Sequence, residues 1–458
     1  MNPFTYVGQL LHTMAHRRLQ QQDAARRQEE EQNFQPDPDL DARIEKGRFR
    51  KDPLADDVMA ALFQGGQEEV DRANEIMRHL IRQEEVPQDE IADLVGQDAL
   101  HHLTHYMEVA NQLPDWADRD VIDLAGDVFA RHGAVAFSVL GCSSLPAGYA
   151  TPEAARVLGF TQQLQAHAKR RLWETSQFLI DVMCKGGLEP GGRGLQAIQR
   201  VRLMHAAIRH MLLTPPPSDH SSESEEEHLG HALHSKERIG GLWDVEKDGE
   251  PIHQVVMGAT ILCFSFVALR SMRRMEVGLT AEEERAYLHT WNVAGHMMGV
   301  EEEFLLPRPE TYEAAEHLFN HVWRRFRATE PYRDGTELTA ALLSFLEDPL
   351  SKLPHPLPHL PRMVMRDMVG QEITDLLGVK LDLMDEVALR LFLAGVKELD
   401  HLEGHAYEAL PHTRLGSEFL FRQMALAMSG SERQGDRAEF KIPTELANLW
   451  RFDDTNKA

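Results

Sequence analysis

From Asp52 onward, apolar residues return every three or four positions, and no stretch alternates apolar with polar at a period of two. A half-buried strand needs that alternation, so the chain has no material for a sheet. The expected fold class is all-α, a multi-helix core with additional helices around it. Punctuation agrees with the periodicity. In "ATPEAARVL", Thr151 reads as an N-cap with Pro152 at the first helical position, and in "LTAEEERAYLHTW", Thr280 and Glu283 form a capping box. "MCKGGLEPGGRG" can only be a loop, so helices from about Phe160 to Met183 and Leu195 to Leu213 flank it as a pair. "TPPPSDHSSESEEEH" and "LPHPLPHLPR" are further breaks. The longest apolar run, Val255 to Leu269, falls short of the roughly 20 residues a bilayer requires. It reads as a central buried helix, with no transmembrane segment expected.

Of 458 residues, 42% are hydrophobic, enough for a sizeable core. A formal net charge of -25 repels phosphate backbones and excludes nucleic acid as a partner. Cys142, Cys184 and Cys263 are far apart and form no CxxC, which speaks against a disulfide framework or a structural zinc site. The N-terminus lacks the layout of a secretory signal, and the expected location is cytoplasmic. Residues 1–51, rich in Gln, Arg, Glu and Asp, read as a charged N-terminal arm without chemistry, with "NFQPDPDLD" as a loop.

The helix "RVRLMHAAIRHMLL" (Arg200 to Leu213) carries the most unusual pattern. If Leu195, Ile198, Ile208 and Leu212 face the core, then Arg202, His205 and Arg209 lie within or beside the same stripe. Taken singly, a core histidine is a hydrogen-bonded structural residue, and an interior arginine pairs with a carboxylate of a neighbouring helix. Taken together, they match a haem: an iron that accepts an imidazole and two propionates that pair with guanidinium groups.

The preceding helix, "HAKRRLWETSQFLIDVM", sets Arg171, Glu174 or Thr175, Phe178 and Val182 along one stripe. Phe178, Leu179 and Val182 mark that face as buried. Burial raises a carboxylate's pKa toward neutrality, which suits it to exchange a proton, while a nearby arginine pulls it back. In "YLHTWNVAGHMMGV", His289 and His296 share a helix in which Gly295 and Gly299 permit close approach. Packing histidines and a haem-edge or pocket-lining role fit that spacing equally well.

Rival metal patterns are incomplete. Glu398 and His401, with His405 a turn on, have the E-x-x-H spacing of di-iron bundles, but Glu225 with His228, the other example, sits in an acidic loop. The pairs His101/His105 and His317/His321 lack the glutamate of an HExxH motif and read as surface or packing residues. No serine occupies a G-x-S-x-G elbow.

"RRLWET" (Arg170 to Thr175) followed by "RVRLMHAAIR" (Arg200 to Arg209) resembles the haem-binding core shared by latex-clearing rubber oxygenases and the MpaB oxygenases. "DPLADDVMAALF", "LGCSSLPAGYATPEAARVLGFT" and "YLHTWNVAGHMMGV" extend the resemblance over about residues 52–306. It implies a globin-like helical core binding haem b. His205 would be the proximal ligand, with Arg202 and Arg209 holding the propionates or the ligand helix, and Arg171 and Thr175 on the distal side. Glu174 stands where rubber-cleaving members have lysine, and is the expected acid–base group. The implied reaction is dioxygen-dependent cleavage of a carbon–carbon double bond in a hydrophobic small molecule such as a lipid, terpenoid or isoprenyl chain. A peroxidase or peroxygenase using peroxide, and a haem sensor or carrier without turnover, remain alternatives. The expected domains are a haem-binding oxygenase-like unit over 52–310 and a C-terminal helical extension over 311–458 that caps the pocket or forms a homodimer contact.

Overall fold

Every regular element among the described residues is helical, as the periodicity requires. The computed structural model describes residues 34–62, 96–160, 168–213 and 243–402, with Ala25, Gln28, Glu31 and Gln32 before them. In chain order the helices are α1 (Pro38–Gly47), α2 (Pro53–Leu62), α3 (Gln97–Ala110), α4 (Arg119–Val139), α5 (Leu145–Tyr149), α6 (Pro152–Phe160), α7 (Ala168–Met183), α8 (Arg193–Leu213) and α9 (Val245–Asp248). Then follow α10 (Gln254–Phe264), α11 (Phe266–Arg274), α12 (Ala281–Met297), α13 (Tyr312–Phe326), α14 (Arg333–Glu347), α15 (Leu360–Val369), α16 (Gln371–Leu376) and α17 (Leu383–Leu402).

Local chemistry explains several boundaries. Thr280 Oγ1 accepts the Glu283 N–H at 3.2 Å while the Glu283 carboxylate accepts the Thr280 N–H at 2.8 Å, closing the capping box that opens α12. Pro152 opens α6, but the Thr151 hydroxyl donates back to the Gly148 carbonyl at 2.6 Å instead of capping forward. The glycine-rich loop joins α7 and α8 into a helical hairpin whose backbones nearly touch. A Cβ on Gly194 would lie 2.7 Å from Val182 Cα and as close to the Asp181 carbonyl, so only glycine fits there.

The hairpin is set in a cage. α8 packs on α2 and α7, α2 packs on α3, and α12 runs along α4. α4 passes into α5 through a π-helical turn at Leu140–Ser144, all five residues of which are buried. Gly141 there lies against Leu346 of α14, and the Ser143 hydroxyl meets that of Ser271 in α11 at 2.7 Å.

The core crosses both boundaries expected from sequence, at 51/52 and at 310/311. The segment expected to be a loop of the arm is one only through Asp37; its second half opens α1. Asp37 accepts the Leu40 N–H at 2.9 Å as N-cap, and Leu40 and Ile44 are buried. α13, beyond residue 310, packs on α1, α10 and α11. The apolar run also extends further than its 15 residues suggest. α10 and α11 together make a 21-residue helical span, Gln254–Arg274, long and apolar enough to cross a membrane, with 72% of its most apolar window buried in the fold. Ser265 bends it, its hydroxyl donating to the Ile261 carbonyl at 2.8 Å.

Gly194→Ala should lower stability by about 1–3 kcal/mol, because the added methyl must separate α7 from α8. Denaturant unfolding monitored by far-UV circular dichroism reads this, and an unchanged midpoint would contradict the close approach.

Candidate active site

The expected site residues converge on α7, α8 and α12. On α8, Arg202 is 8% exposed and Arg209 1%, so both guanidinium groups are buried as the stripe requires. Arg202 makes a two-pronged pair with Asp52, from Nε to Oδ2 at 2.6 Å and from Nη2 to Oδ1 at 2.8 Å. Its Nη1 donates to the Met297 carbonyl at the end of α12, 3.1 Å away. Its guanidinium carbon also lies 5.7 Å from the Tyr106 ring centre. Arg209 donates from Nε to Asp56 Oδ1 at 2.8 Å and from Nη1 to the Ile252 carbonyl at 3.2 Å.

Haem propionates at Arg202 and Arg209 would share these guanidinium groups with carboxylates of the chain. The two positive charges are compensated by aspartates one helical turn apart, Asp52 and Asp56, at the start of α2. Both guanidinium groups tie α8 to the start of α2. Burial works against the charged form of Arg202, yet the Asp52 contacts leave its pKa above the ordinary guanidinium value. Burial raises the Asp56 carboxyl in spite of Arg209. Gly299, at φ +90°, completes the arrangement: a Cβ there would sit 2.8 Å from Arg202 Nε and closer still to Asp52.

His205 lies between the two arginines on α8 and is half-buried, among Leu203, Met204, Ala206, Ala207 and Ile208, all buried. On α7, Glu174 is 7% exposed, and Phe178, one turn on, is buried. Phe178 approaches Trp291 of α12 at 6.5 Å between ring centres, and Trp291 stacks on Phe264 of α10 at 5.0 Å. Glu174 therefore belongs to a buried, partly aromatic face, as its spacing predicts. Thr175 is half-buried beside it. The side chain of Arg171 lies outside the described residues, as do those of Glu398, His401 and His405, and Glu225 with His228.

The two α12 histidines separate in role. The His289 Nε2 accepts the Asp118 backbone N–H at 3.0 Å, so its Nδ1 carries the proton and donates to Glu310 Oε1 at 3.0 Å. Both ring nitrogens are engaged, as the packing role that the spacing allows would have them. Burial would raise Glu310, but the bonds from His289 and Asn292 carry its pKa below the ordinary glutamate value. His296 is half-buried, edge-on to Trp116 at 5.7 Å between ring centres, and its buried Nδ1 makes no hydrogen bond. Burial, opposed by Glu302 and reinforced by Arg202 and Arg308, holds its imidazole below the usual pKa and hence neutral. His317 and His321 are packing residues as expected. His321 is buried, with its Nδ1 2.6 Å from Asp41 Oδ1 and its Nε2 3.0 Å from the Gln35 carbonyl.

Residues 129–398 match the family described as ER-bound oxygenase mpaB/B'/Rubber oxygenase, catalytic domain. The chain is a member of this oxygenase family. It is accordingly an enzyme of the oxidoreductase class. The rubber oxygenase of Streptomyces sp. (strain K30) is 25% identical over 330 residues, covering 72% of this chain and 70% of that protein. The latex clearing protein LCP in its closed state superposes with a TM-score of 0.63 over 87% of this chain and 95% of its own, at 23% identity. The family match begins within α4 and runs into α17, so it includes α7, α8 and α12 but not the aspartates of α2.

For the haem implied by the resemblance, the donor set fits in part. His205 is a half-buried imidazole on a helix whose adjacent residues are buried and apolar, and His296 is half-buried and edge-on to Trp116, the kind of setting an iron ligand or a porphyrin edge needs. The guanidinium groups of Arg202 and Arg209 are already engaged by Asp52 and Asp56, so propionates there would compete with carboxylates of the chain.

Asp52→Ala should cost about 3–5 kcal/mol by stranding a buried guanidinium, whereas Asp52→Leu combined with Arg202→Met should recover most of that loss. Equal losses in both would show that the pair does not act as a unit. The Glu310 contribution is present above the ordinary glutamate pKa of about 4.3 and is lost as pH falls through its depressed native value. Glu310→Gln should flatten stability against pH in that acid range, and an unaltered profile would disprove the linkage.

Proposed function

We propose that this oxygenase uses haem b to cleave a carbon–carbon double bond of a hydrophobic small molecule with dioxygen, giving two carbonyl products. The carrying observation is the pairing of α8 with α7: α8 is tied to α2 through Arg202 and Arg209 and carries the half-buried imidazole of His205 between them, while α7, packed against it, buries the Glu174 carboxylate. When bound, haem supplies an iron able to activate dioxygen, chemistry that no side chain here provides.

The chain's own residues do the rest. His205 would hold the iron, and the Arg202–Asp52 and Arg209–Asp56 pairs tie its helix to α2. His296 lines the pocket as a neutral ring. Glu174, a buried carboxylate on α7 with Thr175 next to it, would be the group that gives a proton to oxygen and takes it back, and the resemblance puts Arg171 on the same distal side. Phe178, Trp291 and Phe264 exclude water and give an alkene an apolar wall. A rubber oxygenase among the relatives supports an isoprenoid type of substrate. Glu174 in place of lysine favours a smaller lipid, terpenoid or isoprenyl chain over the polymer. Cys142, Cys184 and Cys263 are free thiols, in keeping with the reducing, cytoplasmic setting proposed for the enzyme.

The purified protein should show the strong absorption of bound haem near 400 nm (about the usual position). His205→Ala should remove it with helical content intact. Glu174→Gln should retain the absorption and lose about 10²–10⁴-fold in turnover with dioxygen. A colourless protein, or haem binding indifferent to His205, would overturn the reading. Turnover with peroxide under anaerobic conditions, but not with dioxygen, would replace the oxygenase reaction with peroxide chemistry.

A further inference from the structure

The proline-rich break before α15 does more than end a helix. It carries His355 and His359, one helical turn apart in number, to the first turn of α17, where both imidazoles converge on Asp385. His359 Nδ1 lies 2.7 Å from Asp385 Oδ2, and His355 Nε2 lies 3.4 Å from Oδ1. The two rings are 5.2 Å apart and nearly perpendicular, and one donor atom from each of the three residues lies within 4.8 Å of the others.

A hydrogen bond that merely pins the loop requires one histidine. Here each carboxylate oxygen has an imidazole of its own, and the three side chains form a closed set of two nitrogens and one carboxylate. A tetrahedral zinc ion with bonds of about 2.0–2.1 Å separates neighbouring donor atoms by about 3.3 Å, so small rotations bring this set onto one ion. Asp385 is 9% exposed and already held in place, whereas His355 is open to solvent and can adjust. The surroundings favour a cation. His359 lines a cavity of about 760 Å³ whose wall includes Glu337, Glu347 and Asp348. Arg362, the cation in that wall, is held by Glu347 and the Lys380 carbonyl.

We propose that His355, His359 and Asp385 bind a divalent transition-metal ion, zinc being the best match, at a site separate from α7 and α8. Two imidazoles favour zinc over magnesium or calcium, which prefer oxygen donors. Three protein ligands leave a fourth position for water. Imidazole and carboxylate ligands bind a metal in their deprotonated forms, so protons compete with the ion and binding weakens as pH falls. Because the ligands come from the break and from α17, the ion ties these two segments together.

Chelator-treated full-length protein should bind about one equivalent of zinc tightly in a calorimetric titration, with an upward shift in melting temperature. His355→Ala, at an exposed position, should melt like the wild type in chelator, bind zinc at least about tenfold more weakly and lose the zinc-induced shift. Asp385→Asn should lose both, and magnesium should not compete. The proposal fails if the wild type shows no tight site, or if His355→Ala and Asp385→Asn bind zinc as the wild type does.

Discussion

The buried pair of Arg202 and Asp52 is the constraint on which the candidate site depends. One guanidinium joins three parts of the chain: the entry to α2 through the carboxylate, α8 through its own backbone, and the last turn of α12 through the Met297 carbonyl. Such a pair contributes little net stability over apolar residues of the same volume, since both charges must leave water. What it fixes is position. Asp52 and Arg202 fit together only because Gly299 withholds a side chain from the space between them. His205, one turn along α8, is placed by the same contact.

Much of the fold follows directly from local signals. The capping box of Thr280 and Glu283, Pro152 at the head of α6 and the glycine loop between α7 and α8 each rest on interactions within a few residues, which spacing alone reveals. The burial of Arg202, Arg209 and Glu174 was legible for the same reason, because a helical stripe has one inward face. The partners of those charges were not. Asp52 lies 150 residues from Arg202, and nothing in "DPLADD" distinguishes an aspartate that meets a buried arginine from one that faces water. The α1 helix escaped notice because its acidic composition suited a solvated arm, while Leu40 and Ile44 alone mark its buried side.

The histidines show the limit of composition most plainly. His289 and His296 share a helix and a spacing, yet one is tied at both nitrogens by Asp118 and Glu310 while the other keeps an unbonded, buried nitrogen. The difference arises from segments before and after α12, not from α12 itself. His355 and His359 lie in a stretch whose prolines suggest only an interruption, and their convergence depends on Asp385, 26 residues beyond His359.

The π turn at Leu140–Ser144 bears on the ancestry of this architecture. It holds an extra residue per turn, so side chains after it leave the axis in a different direction from those before it. Upstream, α4 lies along α12; the turn itself lies against α15, with Cys142 reaching toward the Pro361 carbonyl. One helical run, bent between Gly133 and Val135, thus serves two sets of neighbours, and the π turn gives its later part a different angular register. A lineage that lost one of these five residues would restore ordinary winding and turn α5 by about 100°, exposing what is now inside. The fold can therefore tolerate drift in side-chain identity here far more readily than any change in residue count.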